Sequence, residues 1–411
     1  MPGVKSDTED IYLRSSPIPR ALESLQQAFW GMYPASARTA DFLPPAIVTR
    51  AFADETIYPN DVNCRRFKQL STQFAQRAAD KCRVYPHAAS FIGLASAADL
   101  YSVPGNNSEE IEYLNQLWSK WMPASSPRIA VDSRPRLSGI TDTVNASLAH
   151  GPVTRLPSIF YDEKARNIAE KIIVDEWFSG YKESVEYRKL GIGALLGDIV
   201  DRMVSTAIGG GWRMETTSLG ASQTGNPIKF SLNGCHDTTI AGVLASLGAF
   251  ETDKWPPFTS SIVVELFSTA DSHSAASSMD TSGNSITPAA TTPPKRSGFL
   301  SCLVGHPSPP SQSSPPREII RKPLASFPEL AKGRLRNHYV RILYNDDPVR
   351  IPGCVAKETN HLPGDETFCT LEAFKEIVDK FTPRSWKKEC LENIDEGPFG
   401  RGDREKIRAG Y

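Results

Sequence analysis

The run Asn233-Gly234-Cys235-His236-Asp237-Thr238-Thr239-Ile240 and, far upstream, Arg14 in Tyr12-Leu13-Arg14-Ser15-Ser16 hold the residue types that handle a phosphoryl group. A guanidinium fork grips phosphate oxygens in bidentate fashion, an imidazole binds them beside it, and an adjacent carboxylic acid passes a proton to a departing alkoxide. Arg14 and His236 are therefore candidate phosphate ligands and Asp237 a candidate proton donor, partly desolvated beside the bound group. Each has a plainer reading. Asp237 before two threonines is good helix-capping chemistry, and Arg14 stands before Ser15 and Ser16, which would cap a helix through Arg20, Leu22, Leu25, Phe29 and Trp30 and leave the arginine solvated.

The elements around these residues favour the chemical reading. Pro227 to Leu232 alternates as a strand and Thr238 to Leu247 has helical apolar spacing, so residues 233–237 form the turn at a strand's carboxyl end. Clefts in open α/β sheets lie at that edge, and the free first amides of the next helix would favour an anion there.

The flanking sequence resembles a known family. Ile11-Tyr12-Leu13-Arg14-Ser15-Ser16, then Arg20, Glu23-Ser24 and Gly31-Met32-Tyr33-Pro34, is similar to the Arg-Ser-Thr block of the histidine acid phosphatases, branch 2 of the histidine phosphatase superfamily. Glu55-Thr56-Ile57-Tyr58-Pro59-Asn60 with Cys64, the His236-Asp237 pair, Leu247-Gly248-Ala249-Phe250 and Lys254-Trp255-Pro256-Pro257-Phe258 look most like its lysophosphatidic acid phosphatase (type 6) branch. Val340-Arg341-Ile342-Leu343-Tyr344-Asn345, Ile351-Pro352-Gly353-Cys354 and Phe368-Cys369-Thr370-Leu371-Glu372-Ala373-Phe374 complete the pattern, which spans roughly residues 10 to 395 apart from one insertion.

The resemblance implies a phosphoglycerate mutase-like α/β sheet domain flanked by helices, with a helical cap lobe. It also implies hydrolysis of phosphate monoesters through a phosphohistidine. Arg14 matches the pocket arginine, His236 the phosphate-binding histidine and Asp237 the proton donor; no cofactor or metal is called for, since guanidinium forks supply the positive charge. Lysophosphatidic acid is the substrate that the branch suggests, with a phytase or broad-specificity acid phosphatase as the other choices. The family's nucleophile sits in an Arg-His-Gly-x-Arg-x-Pro segment, and no such segment occurs in these 411 residues. Ala149-His150-Gly151-Pro152-Val153-Thr154-Arg155-Leu156-Pro157 imitates it, but the preceding arginine is missing and Arg155 is too far from Gly151. Two accounts of the gap follow: a shortened form of an ordinary phosphatase, inactive as it stands, or a pseudoenzyme that binds phosphate ligands or partners. The first is preferred, because a parallel sheet without its central strand exposes edges and loses core.

With 40% hydrophobic and 23% charged residues, the chain is long enough for a large core and more than one lobe. A formal charge of -1 gives no reason to expect nucleic acid, and no apolar run has membrane length. No targeting segment is visible, and the family resemblance suggests a mitochondrial or secretory setting for a longer form. Seven cysteines without CxxC spacing argue against zinc. Relatives often bridge the positions of Cys354 and Cys369, whereas Cys235 reads as a buried packing residue. The expected organisation is a first sheet segment at 1–45, a mostly helical cap lobe at 46–225, the His-Asp strand-turn-helix at 226–267, a disordered Ser/Pro-rich insertion at 268–327, and a final sheet segment at 328–411. Runs Ala165 to Tyr181 and Glu183 to Ala207 read as packed cap helices, and Trp118 and Trp121 as cap core. The insertion reads as a passive spacer, with Pro307-Ser308-Pro309-Pro310 as a polyproline ligand for a partner domain the alternative.

Overall fold

The computed structural model describes residues 10–38, 42–82, 107–209, 228–269, 322–397 and 408–411. Residues 1–268 and 321–411 form one compact unit, and nearly all of the expected insertion, with its proline motifs, lies outside the described residues. The described edges of that insertion are ordered, which corrects its bounds. Ser268 ends a strand, and Leu324 and Phe327 pack on the main core, with the Leu324 amide donating to Asp379 at 2.8 Å.

A small parallel sheet carries Arg14 and leads into the His-Asp pair. Its middle strand β1 (Ile11–Ser15) is buried along its whole length, as a strand covered on both faces must be. It lies between β2 (Ile47–Val48) and β3 (Phe230–Gly234), parallel to both. The register pairs Arg14 with Asn233 and Ser15 with Gly234, so the carboxyl ends of β1 and β3 coincide. Arg14 is thus a strand residue, not the solvated lead-in to a helix. The helix that follows, α1 (Pro19–Met32), is capped by neither Ser15 nor Ser16; it starts on Pro19, whose fixed φ suits the first turn, and buries Ala21, Leu25 and Phe29 at four-residue spacing. Gly234 lets α1 approach: a Cβ there would stand 2.5 Å from the Ala21 carbonyl oxygen.

The helical portion comprises α2 (Arg65–Lys81), α3 (Ser108–Trp118), α4 (Leu137–His150), α5 (Glu163–Glu183), α6 (Val185–Arg188) and α7 (Ala194–Ala207). Helix α5 packs on both α2 and α8 (Asp237–Ser246), the helix that follows β3. The single helix expected from Glu183 to Ala207 is interrupted. Ser184 caps α6, and a π-helical turn (Lys189–Gly193) carries Gly191 and Gly193 against Tyr181 and the Phe381 backbone, with no room for a Cβ at either. Trp118 is buried as expected and donates to the Ile159 carbonyl oxygen at 3.1 Å, whereas Trp121 is 51% exposed and is not core.

The second sheet is antiparallel, in the order β4 (Ile262–Ser268), β5 (His338–Tyr344), β8 (Asp365–Thr370), β7 (His361–Leu362), with β6 (Asp347–Pro348) beside β5. Glu265, Leu266 and Phe267 pair with Arg341, Val340 and Tyr339, so the two strands flanking the insertion are neighbours. Helices α9 (Glu329–Arg336) and α10 (Leu371–Asp379) cover β5.

Two disulfides are present among the described residues. Cys354 bonds Cys369, the pairing implied by the resemblance, and Cys64 bonds Cys390 across 326 residues of sequence. The second tethers the start of α2 to the carboxyl-terminal segment, where the Arg66 amide also donates to the Cys390 carbonyl oxygen. Loop-closure entropy gives about 3 kcal/mol for a 15-residue loop and more for a longer one. Replacing Cys64 and Cys390 together by serine should therefore lower the melting temperature more than replacing Cys354 and Cys369; scanning calorimetry of both double variants checks the order, and an equal loss contradicts it.

Candidate active site

Arg14 is 1% exposed, and its Nη2 donates to Glu55 Oε1 at 2.5 Å. That carboxylate oxygen also accepts the Thr56 and Ile57 amides at 2.8 and 2.7 Å, so the loop after β2 folds around Glu55 and fixes it under the arginine. On the other side Arg14 Nη1 lies 3.9 Å from Asp198 of α7, which Arg50 also approaches, at 3.6 Å. Arg202, one turn along α7, stacks its guanidinium on the Tyr12 ring at 4.7 Å, and burial pushes its pKa down. Even so, Arg14 Nε and Glu55 Oε2 are buried with no hydrogen-bond partner among the described residues. A buried guanidinium N–H left open is unusual, because such a group is desolvated without compensation.

The end of β1 reaches the His-Asp turn directly. The Ser16 amide donates to the Gly234 carbonyl oxygen at 3.1 Å, and the Ser16 hydroxyl meets His236 Nε2 at 2.9 Å. Tyr58, three residues after Glu55, presents its ring edge-on to the imidazole, with centroids 5.6 Å apart. The Thr239 hydroxyl of α8 donates to the Ile57 carbonyl oxygen at 2.9 Å, locking the Glu55 loop onto the same helix. Arg14 and His236 are therefore joined through the Ser16 link on one side and the Glu55–Tyr58 loop on the other. Burial and the nearby Arg20 charge hold the His236 pKa below the ordinary histidine value.

Asp237 departs from expectation in its surroundings. It is exposed rather than desolvated, and both oxygens are held: Oδ1 accepts the Thr238 amide and Oδ2 the Trp255 indole Nε1, each at 2.7 Å. The helix terminus also differs. The Thr238 amide serves Asp237, and the Thr239 and Ile240 amides serve the His236 carbonyl oxygen, so these N–H groups are not open to an anion.

His150 closes α4 at the surface and takes no part in this arrangement. Cys235 is half-buried beside His236, its thiol pushed up to about 11 by desolvation, and Cys82 is raised to about 12 for the same reason, so both are poor nucleophiles. Among the described residues no group of three or more His, Cys, Asp or Glu side chains could hold a metal ion, and no helix is long and apolar enough to cross a membrane. Sequence reasoning missed Asp198, Arg50 and Arg202 as neighbours of the site. It had Ser16, Glu55, Tyr58 and Trp255 as parts of a family pattern, without a place in the site.

A buried arginine tied to a strand-end histidine, with a carboxyl group next in sequence, is the kind of site that binds phosphate esters. The chain belongs to the histidine phosphatase superfamily (branch 2), whose description matches residues 4–282. It is 33% identical over 393 residues to a probable acid phosphatase of Schizosaccharomyces pombe, a match that covers 95% of this chain and 70% of that protein. Among solved structures, the Hafnia alvei phytase (TM-score 0.47, 12% identity, 95% of this chain and 82% of that one) and the Citrobacter braakii phytase (0.42, 10%, 93% and 81%) are similar.

Because its folded pKa is depressed, His236 favours the folded state above the ordinary histidine value and opposes it as pH falls through the lowered one. A bound phosphate dianion stabilises the imidazolium and acts the other way. An NMR titration should find the His236 pKa below about 6.5 in the free chain and higher with saturating phosphate. A value unmoved by phosphate contradicts the assignment of His236 as a ligand.

Proposed function

We propose that this chain supplies the phosphate-binding and proton-donating half of an acid phosphatase site acting on phosphate monoesters. In this reading Arg14, through its unspent Nε, and His236 hold the phosphoryl oxygens, and Glu55 and Asp198 fix the arginine. A histidine of the family's Arg-His-Gly motif, which is not among these 411 residues, forms a P–N bond as the ester P–O bond breaks. The Asp237 carboxyl proton goes to the leaving oxygen, and water then cleaves the phosphohistidine, releasing phosphate and returning a proton to Asp237. Lysophosphatidic acid falls within this substrate class and is the one that the sequence resemblance suggests.

The Ser16–His236 contact at 2.9 Å carries the reading, since it brings a segment two residues past Arg14 onto a side chain 220 positions away. It makes two separable statements about the 411-residue chain. Calorimetry should find phosphate binding, weakened on the order of 10-fold or more in His236→Ala, because a hydrogen bond to a charged group contributes about 1.5–3 kcal/mol. Turnover of p-nitrophenyl phosphate by the same chain should be absent. Phosphate binding unaffected by His236→Ala would sink the ligand assignment, and Asp237-dependent turnover would sink the reliance on an outside nucleophile.

A further inference from the structure

Trp255 is a side-chain neighbour of Asp237 with no part in the bond changes of the phosphatase reaction. Its indole N–H donates to Asp237 Oδ2 at 2.7 Å. An indole nitrogen only donates, so it cannot exchange the proton that Asp237 delivers; it can hold the carboxyl in place. The ring is itself firmly held. Phe178 of α5 lies 4.9 Å away at a tilt, Phe250 backs Phe178 at 5.4 Å, and Trp177 crosses the Trp255 ring edge-on at 5.9 Å and 90°. Trp255 packs against both of the larger core clusters, while Trp177 remains 39% exposed. An aromatic surface that begins at the carboxyl group therefore continues outward to solvent.

If Asp237 protonates the leaving oxygen, that oxygen sits within hydrogen-bond reach of the carboxyl, and the carbon skeleton attached to it meets Trp255 next. Lys254, beside Trp255 in sequence, is bonded to Asn167 and to Glu170, the latter at 3.0 Å. We propose that Trp255 and Trp177 form the leaving-group platform of this site, with Trp255 positioning Asp237 through its indole N–H and both rings receiving a planar, apolar leaving group such as an aryl alcohol. The proposal rests on the phosphatase reading above and adds to it the class of ester preferred.

Binding by the 411-residue chain tests it without any need for turnover. Inorganic phosphate, methylphosphonate and benzylphosphonate are titrated calorimetrically into the wild type, Trp177→Ala and Trp177→Leu, with thermal melts to check that each variant folds. Benzylphosphonate should bind about 5- to 10-fold more tightly than methylphosphonate, the span that one aromatic contact supplies. That ratio should fall to about 2-fold or less in both variants, since leucine keeps apolar volume but offers no ring face. In the wild type the Trp255 indole N–H resonance should shift as benzylphosphonate fills the site. Equal binding of the two phosphonates, or a preference that survives in either folded variant, overturns the platform and leaves the phosphate site standing. If neither phosphate nor either phosphonate binds, the phosphatase reading fails and the platform with it.

Discussion

The Arg14–Glu55 contact, sealed from water at the end of β1, is the interaction on which the arrangement of this region depends. Taking two ions out of water is expensive, and their attraction repays it only when the geometry is tight and the remaining polar atoms are satisfied. Here the first condition is met at 2.5 Å and the second only in part. Glu55 Oε1 is filled by Arg14 and two amides, while Arg14 Nε and Glu55 Oε2 stay open. Losing either partner would strand the other charge, at roughly 3–5 kcal/mol. The pair therefore holds the 55–58 loop, β1 and α7 in fixed relation, and with them the tyrosine ring that faces His236.

That fixed relation is what lets distant pieces of sequence act together. Strand β1 delivers Arg14 and Ser16, and β3 delivers His236 and Asp237, because parallel pairing in the observed register aligns their carboxyl ends. Parallel strands need long connections, and here the connection includes all of α2 to α7. Helix α5 from that connection returns Trp177 and Phe178 to the Trp255 side of the site. The segment that separates the strands in sequence thus furnishes one wall between them.

Much of this was legible from residue types. The alternation from Pro227 to Leu232 marked a strand that is present as Phe230–Gly234, and the His-Asp turn stood where a strand-to-helix switch put it. Arg14 was harder. An arginine before two serines and a proline-led helix reads locally as a surface lead-in, and only its partners, 41 and 184 positions away, reveal a buried strand end. The Cys64–Cys390 bond and the Trp255–Asp237 contact were hidden for the same reason: neither cysteine nor tryptophan announces a distant partner. The exposure of Asp237 and the occupied amides of α8 were also beyond reach, since they depend on where one indole and one carbonyl oxygen point.

A phosphate mimic that scatters anomalously, such as tungstate, offers the most direct examination. Crystals of the chain grown with it should place the metal centre between the Arg14 guanidinium and the His236 imidazole, with an oxygen facing Arg14 Nε. Oxyanion density elsewhere on the molecule, with Arg14 Nε still unengaged, would contradict the account.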